Sequence, residues 1–198
     1  RGFLSIAFGP HHGPLQFRRT VAPHATAAWG AVETVGINAT YPSLVCGPDD
    51  TLHLTYRGGP MPRRLMYQRR PPGDAWSEPV ELVDAQVPSG YTQFGNALAV
   101  APDGALHLVF HIYDMHPPAG KSVGHLCSRD RGGTWEAAVG EPVRLPATPD
   151  SPCILTRQPG ADMRVRNVAL DPWGRPWVIT SRLDSRPCGP DLWHPDGT

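Results

Sequence analysis

Apolar and polar residues alternate along this chain in short runs, and turn residues close each run. The stretch Tyr41-Pro-Ser-Leu-Val-Cys-Gly-Pro-Asp-Asp-Thr-Leu-His-Leu-Thr-Tyr-Arg57 shows the pattern: a short apolar strand, a Pro-Asp-Asp turn, and a second strand beginning Leu-His-Leu. A period of two, bounded by Gly, Pro, Asn and Asp, predicts β-strands. No stretch carries a long helical period, and the 24 Pro and 21 Gly would interrupt one. The fold class is all-β.

The pattern repeats. Gly95-Asn-Ala-Leu-Ala-Val-Ala-Pro-Asp-Gly-Ala-Leu-His-Leu-Val-Phe-His111 echoes the first hairpin. A weaker copy runs from Arg166 to Thr180, and Gly2 to Phe8 reads as the second strand of an earlier copy. Each hairpin is followed by an outer pair with a Trp in its turn. Leu15–Arg19 leads to Trp29 and Val32–Val35. Arg64–Arg70 leads to Trp76 and Glu78–Val83, and Gly124–Ser128 leads to Trp135 and Glu141–Leu145. Four short strands per unit, at about fifty to sixty residues per unit, is the signature of β-propeller blades. The boundaries expected are blade ends at 1–36, a blade at 37–84, a blade at 91–146 and the start of another at 164–198. A closed propeller takes about four to eight four-stranded antiparallel blades. The chain therefore reads as an incomplete segment of about three blades, with the remaining blades of a longer parent chain as its partners.

The octet Ser128-Arg-Asp-Arg-Gly-Gly-Thr-Trp135 fits Ser-x-Asp-x-Gly-x-Thr-Trp, the Asp-box pattern of sialidase-type propellers. The Asp130 carboxylate can accept N–H bonds of its own turn, and Gly132 and Gly133 allow positive φ. Trp135 is expected to plug the hairpin from beneath. Pro71-Pro-Gly-Asp-Ala-Trp76 is a degenerate copy. An Asp box is a structural staple and carries no chemistry of its own.

Formal net charge is zero and 40% of residues are hydrophobic. No basic stripe argues for nucleic acid, and no apolar run approaches the ~20 residues of a membrane span. Four cysteines, Cys46, Cys127, Cys153 and Cys188, are too few for a dense disulfide framework. No signal peptide is visible, so the compartment stays open; a secreted or periplasmic location would follow from action on polysaccharide.

His11-His-Gly-Pro-Leu-Gln-Phe-Arg-Arg-Thr20, with Thr40-Tyr-Pro-Ser43 and Tyr56-Arg57, resembles the BNR-repeat propellers that include ulvan-lyase-type polysaccharide lyases. In a blade, the start of the first strand and the end of the second lie on the funnel face. That places Tyr41, Arg57 and the His11–His12 loop together, with the Asp-box turns on the opposite face. The three residue types suit β-elimination on a uronate-containing acidic polysaccharide. The Arg57 guanidinium would neutralise the substrate carboxylate and acidify the adjacent proton. An imidazole, His12 or His11, would remove that proton, and the Tyr41 phenol would protonate the leaving oxygen or act as base. The resemblance implies such parts for a His, a Tyr and an Arg, and no cofactor for catalysis. Arg18, Arg64, Tyr91 and Asn96 are candidates to bind substrate. Two other readings stand beside this one. The first is a sialidase-like glycoside hydrolase; the second is a non-catalytic carbohydrate- or protein-binding propeller, since fold does not dictate function.

A structural metal is a separate expectation. His125 and Cys127 are two apart and face one side of a strand. With His111 and Cys153 they make a His2Cys2 set suited to tetrahedral zinc, and His116 could replace one imidazole. The alternatives are a core Cys127 with a satisfied His125, and a Cys153–Cys188 disulfide.

Overall fold

The computed structural model describes residues 2–9, 11–86, 92–114, 122–157, 162–183 and 191–193, and none of them is helical. No helix is long and apolar enough to cross a membrane among these residues. Thirteen strands follow one another: β1 (Ser5–Phe8), β2 (Gly13–Arg19), β3 (Glu33–Cys46), β4 (Leu52–Gly58), β5 (Arg64–Arg70), β6 (Val80–Val83), β7 (Thr92–Val100), β8 (Leu106–Asp114), β9 (Ser122–Ser128), β10 (Ile154–Arg157), β11 (Asp162–Leu170), β12 (Pro176–Leu183) and β13 (Asp191–Trp193). They form three sheets, ordered β1 to β6, β10-β9-β8-β7 and β11-β12-β13. Every strand pair is antiparallel between sequence neighbours, the up-and-down order of propeller blades.

The first sheet is two ladders that share one long strand. The leading half of β3 pairs with β2 from Phe17↔Glu33 to Gly13↔Ala39. Its trailing half pairs with β4 from Thr40↔Arg57 to Cys46↔Leu52. The register shifts between Thr40 and Ser43, where Pro42 has no N–H to give a ladder. Tyr41 takes a left-handed φ of 55° within this break.

Strand alternation explains both the core and its unexpected polar component. Leu54 and Tyr56 of β4 pack with Leu15, Ala39 and Met66. On β8, Leu106, Leu108, Phe110 and Ile112 face Leu65, Tyr67, Leu82 and Trp135. Val109 packs with Val123 of its own sheet and with Met163, Val165 and Val178 of the third sheet. The intervening positions His53, Thr55, Arg57, His107 and His111 are also buried, because a neighbouring sheet covers that face too. Each of these residues makes at least one polar contact, as buried polar groups generally do. His53 Nδ1 lies 2.8 Å from the Tyr67 hydroxyl oxygen, and that hydroxyl donates to the Arg131 carbonyl at 3.2 Å. With its one proton on Arg131, the phenol accepts the Nδ1 proton of His53.

The Asp box forms the staple expected of it. Ser128 Oγ donates to Asp130 Oδ1 at 2.9 Å and accepts the Gly132 N–H at 2.7 Å. Asp130 also accepts the Thr134 N–H at 2.8 Å and the Thr134 hydroxyl at 2.7 Å. Burial alone would raise the Asp130 pKa, but the bonds from Thr134 and Ser128 prevail and hold it below the usual value. The left-handed residues are Arg131 (φ 61°) and Gly132 (φ 85°); Gly133, expected to share that role, does not. A side chain on Gly132 would collide with the Tyr67 ring, so the turn sits directly against the preceding blade. Trp135 is buried edge-on to Tyr67, ring centroids 5.3 Å apart.

One outer strand differs from expectation. Glu141–Leu145 does not form the fourth strand of the second sheet, a place that β10 takes. The stretch folds back on the segment after the Asp box, with Pro142 bridged to Glu136 and Val143 N–H donating to the Trp135 carbonyl at 2.9 Å. Just beyond it, Ala147 N–H donates to the Leu82 carbonyl and Asp84 N–H to the Ala147 carbonyl, both at 2.8 Å.

Two outcomes follow for stability. Trp135→Ala should cost about 3–5 kcal/mol in denaturant unfolding, the range for emptying a buried aromatic site, and Trp135→Phe much less. Burial chiefly lowers the pKa of His53 to about 4 and of His125 to about 3. Both stay neutral in the fold while the unfolded chain takes up protons below about 6.5. Thermal stability should therefore be full above that pH and fall as the pH drops from 6.5 towards 4, with His53→Asn flattening the fall.

Candidate functional site

At the sheet end opposite the Asp box, the Thr40↔Arg57 pair closes the β3–β4 ladder. The loop from β1 to β2 brings His11 and His12 to the same end. Arg57 is wholly buried. Its Nε donates to Thr40 Oγ1 at 2.9 Å, and its Nη2 lies 3.3 Å from Nε2 and 3.4 Å from Nδ1 of His12. The guanidinium carbon stands 5.0 Å from the centre of the Tyr41 ring. The His11 ring meets His12 at 4.1 Å and Tyr41 at 5.7 Å, edge to face in both cases. A groove of about 370 Å³ opens beside them, lined by Phe8, His11, Leu15, Thr40, Tyr41 and Pro42 among others. All four residues expected on the funnel face thus come together, from two blades.

His12 is pushed below the ordinary histidine value, first by burial, then by the positive charge of Arg57, then by His11 and Arg63. A neutral imidazole at neutral pH has a lone pair to accept a proton. His12 and Tyr41 both hold left-handed backbones, φ 59° and 55°. Non-glycine residues rarely do so, and such conformations cluster where side chains must be aimed.

A family model described as a BNR repeat-containing family member matches residues 1–190. The chain belongs to this BNR-repeat family. Among solved structures it is similar to a PL25 ulvan lyase, at a TM-score of 0.78 and 13% identity. That match covers 98% of this chain and 52% of the lyase, and the same values hold for the ulvan lyase bound to -[GlcA(1-4)Rha3S]-. The polysaccharide lyase Uly1 matches at a TM-score of 0.65 and 13% identity, over 97% of this chain and 54% of that one. A protein of unknown function from Dyadobacter fermentans matches at 0.59 and 15%, over 93% and 60%. No curated protein matches the chain. The fold is a β-propeller, and this BNR-repeat chain spans about half the length of the lyase structures it resembles.

The other expected site residues scatter. Arg18 lies near the far end of β2, donating to the Gly30 carbonyl at 3.1 Å and stacking over Trp29, away from the His11–His12 end. Arg64 begins β5 and is held by Asp84 at 3.1 Å and by the Pro62 carbonyl at 2.6 Å. Asn96 reaches the cluster from the next blade, but its amide bonds protein groups: Oδ1 accepts the Thr55 hydroxyl at 2.6 Å, and Nδ2 donates to the Tyr41 carbonyl at 2.9 Å. Tyr91 lies outside the described residues. Thr40, Thr55 and Arg63 are the residues that sequence reasoning missed. Thr40 stood in the Thr40-Tyr-Pro-Ser43 stretch beside Tyr41, and Thr55 lies two positions before Arg57 on one strand face.

The four expected metal ligands do not converge. Among the described residues, no group of three or more His, Cys, Asp or Glu could hold a metal ion. His111 Nδ1 accepts the Val165 N–H at 3.1 Å, while His125 Nε2 lies 3.1 Å from His107 Nδ1. Cys153 sits in the apolar cluster with Leu82, Leu126 and Trp135. Burial raises the Cys127 thiol to about 11 and the Cys153 thiol to about 12, so both stay protonated. The expected ligands have separate partners instead: His111 meets β11, His125 meets His107, and Cys153 lies in the apolar core. His116 and Cys188 fall outside the described residues.

The site makes one direct electrostatic prediction. An NMR titration should find His12 with a pKa below 6.5, and Arg63→Gln should move it upward by removing a nearby positive charge. A His12 value above 6.5 in the unaltered protein would contradict the geometry.

Proposed function

We propose that this BNR-repeat chain carries the reactive face of a polysaccharide lyase that cleaves a uronate-containing acidic glycan by β-elimination. The observation that carries the reading is the meeting of a buried guanidinium, a neutral imidazole and a phenol, with the phenol and the adjacent His11 lining a groove. The substrate carboxylate is set against Arg57, whose charge delocalises the electrons released at C5. His12 takes the C5 proton. The C4–O bond breaks as the C4–C5 double bond forms, and Tyr41 returns a proton to the departing oxygen. His11, edge-on to both His12 and Tyr41, holds the two rings at their working separation. Two further supports come from the relatives: lyases share the fold across nearly the whole chain, and one holds a glucuronate-containing ligand. A partner in the form of an acidic polysaccharide follows from the same reading.

The test is ultraviolet absorbance of unsaturated sugar ends, with the full protein acting on ulvan and other uronate-containing polysaccharides. Arg57→Ala, Tyr41→Phe and His12→Ala should each lower kcat/KM by about 100-fold or more, the ordinary scale of positioned acid–base groups. The acid limb of kcat/KM should lie below pH 6.5, because activity is lost only as His12 gains its proton. Binding of these glycans with no unsaturated product would replace the lyase by a binding propeller.

A further inference from the structure

Tyr41 stands where the ladder is broken. Thr40 pairs with Arg57 and Ser43 with Thr55, so Tyr41 and Pro42 are the bulged residues between two regular pairs. A bulge frees main-chain groups from the ladder and re-aims the side chain it carries. It also leaves the chain with a choice of conformations, and the left-handed one seen here, φ 55°, is unfavourable for a bulky residue by about 1–2 kcal/mol. Something outside β3 and β4 must select it.

We infer that Asn96, on the first strand of the following blade, is a positioning residue that selects this conformation of Tyr41; the inference rests on the lyase reading for its consequence in catalysis. Asn96 Nδ2 donates to the Tyr41 carbonyl at 2.9 Å, satisfying an acceptor that the bulge has taken out of the ladder. The orientation of the amide is fixed from its other end, where the Thr55 hydroxyl donates to Oδ1 at 2.6 Å. Thr55 is itself wholly buried on β4, two residues before Arg57. One polar chain therefore runs from the strand that carries Arg57, through a side chain of the next blade, to the main chain of Tyr41. A second bond keeps the two blades in register beside it: Leu98 N–H donates to Ser43 Oγ at 3.0 Å, just past the bulge. Tyr41 and Arg57 hold their 5.0 Å ring-to-guanidinium spacing through this bracket. Aspartate would be nearly isosteric with Asn96 but has no N–H to give the Tyr41 carbonyl, so the bracket is specific to the amide.

The experiment pairs kinetics with structure. Asn96→Ala and Asn96→Asp should lower kcat on the uronate polysaccharide by about 100-fold, the cost of misplacing a reacting group by about 1 Å, with KM within about twofold. In the Tyr41→Phe background the same changes should cost almost nothing more, because they act through the phenol. Thr55→Val should reproduce part of the loss and be non-additive with Asn96→Ala. A crystal structure of Asn96→Ala should show Tyr41 outside the left-handed region and its ring away from Arg57. Full additivity of Asn96→Ala with Tyr41→Phe, or an unmoved Tyr41 in that crystal structure, overturns the inference. An unaltered protein that makes no unsaturated product defeats the lyase reading alone, and the crystal structure then still decides whether Asn96 sets Tyr41.

Discussion

Strands β4, β8 and β9 are buried on both faces where they lie between neighbouring sheets, and the contact at Tyr67 shows what that requires. Its ring takes the edge of Trp135 on one side, and its hydroxyl bridges His53 and the Arg131 carbonyl. The Asp-box turn of one blade is thereby fixed to the strands of the blade before it. Arg69 donates to the same carbonyl at 3.0 Å, and Arg131 pairs with Asp49 at 3.2 Å. The exposed ion pair contributes little by itself. The buried ring pair and the satisfied hydroxyl set the distance between blades.

The opposite end of the sheets depends on that distance. Arg57 lies on β4, His12 in the loop ahead of β2, and Asn96 on β7, so three ladders must keep a common register for their side chains to meet. The two ends divide the labour. The Asp-box end is closed by short self-satisfied turns in which Arg131 and Asp50 take left-handed backbones, while the other end holds left-handed Tyr41 and His12 and a broken ladder.

Buried histidines show how similar residues serve different ends within one repeat. His53 and His107 occupy matching places in the two Leu-His-Leu strands, yet one bonds a tyrosine and the other a histidine. Burial lowers the pKa of both, so both are neutral structural groups. His12 differs in its surroundings: its hydrogen-bonding neighbour is a positive guanidinium, and an open groove runs past the adjacent His11.

The period of two, the echoing hairpins and the Asp-box octet were legible in the chain itself, because strand alternation and turn chemistry are local properties. They determined the all-β class, the blade repeat, and the gathering of His11, His12, Tyr41 and Arg57, which strand ends alone place on one face. The tertiary structure decided the rest. Arg18 was indistinguishable in sequence from a funnel arginine, yet its place near the far end of β2 sends it to Trp29 and Gly30. His111, His125, Cys127 and Cys153 offered suitable ligand types, but the packing of neighbouring sheets assigns them separate partners. Asn96 changed from a candidate substrate-binding residue to a bracket on Tyr41, since its partners lie 41 and 55 residues away. Alternation tells which side of a strand a residue takes; only the neighbouring blade decides what waits there.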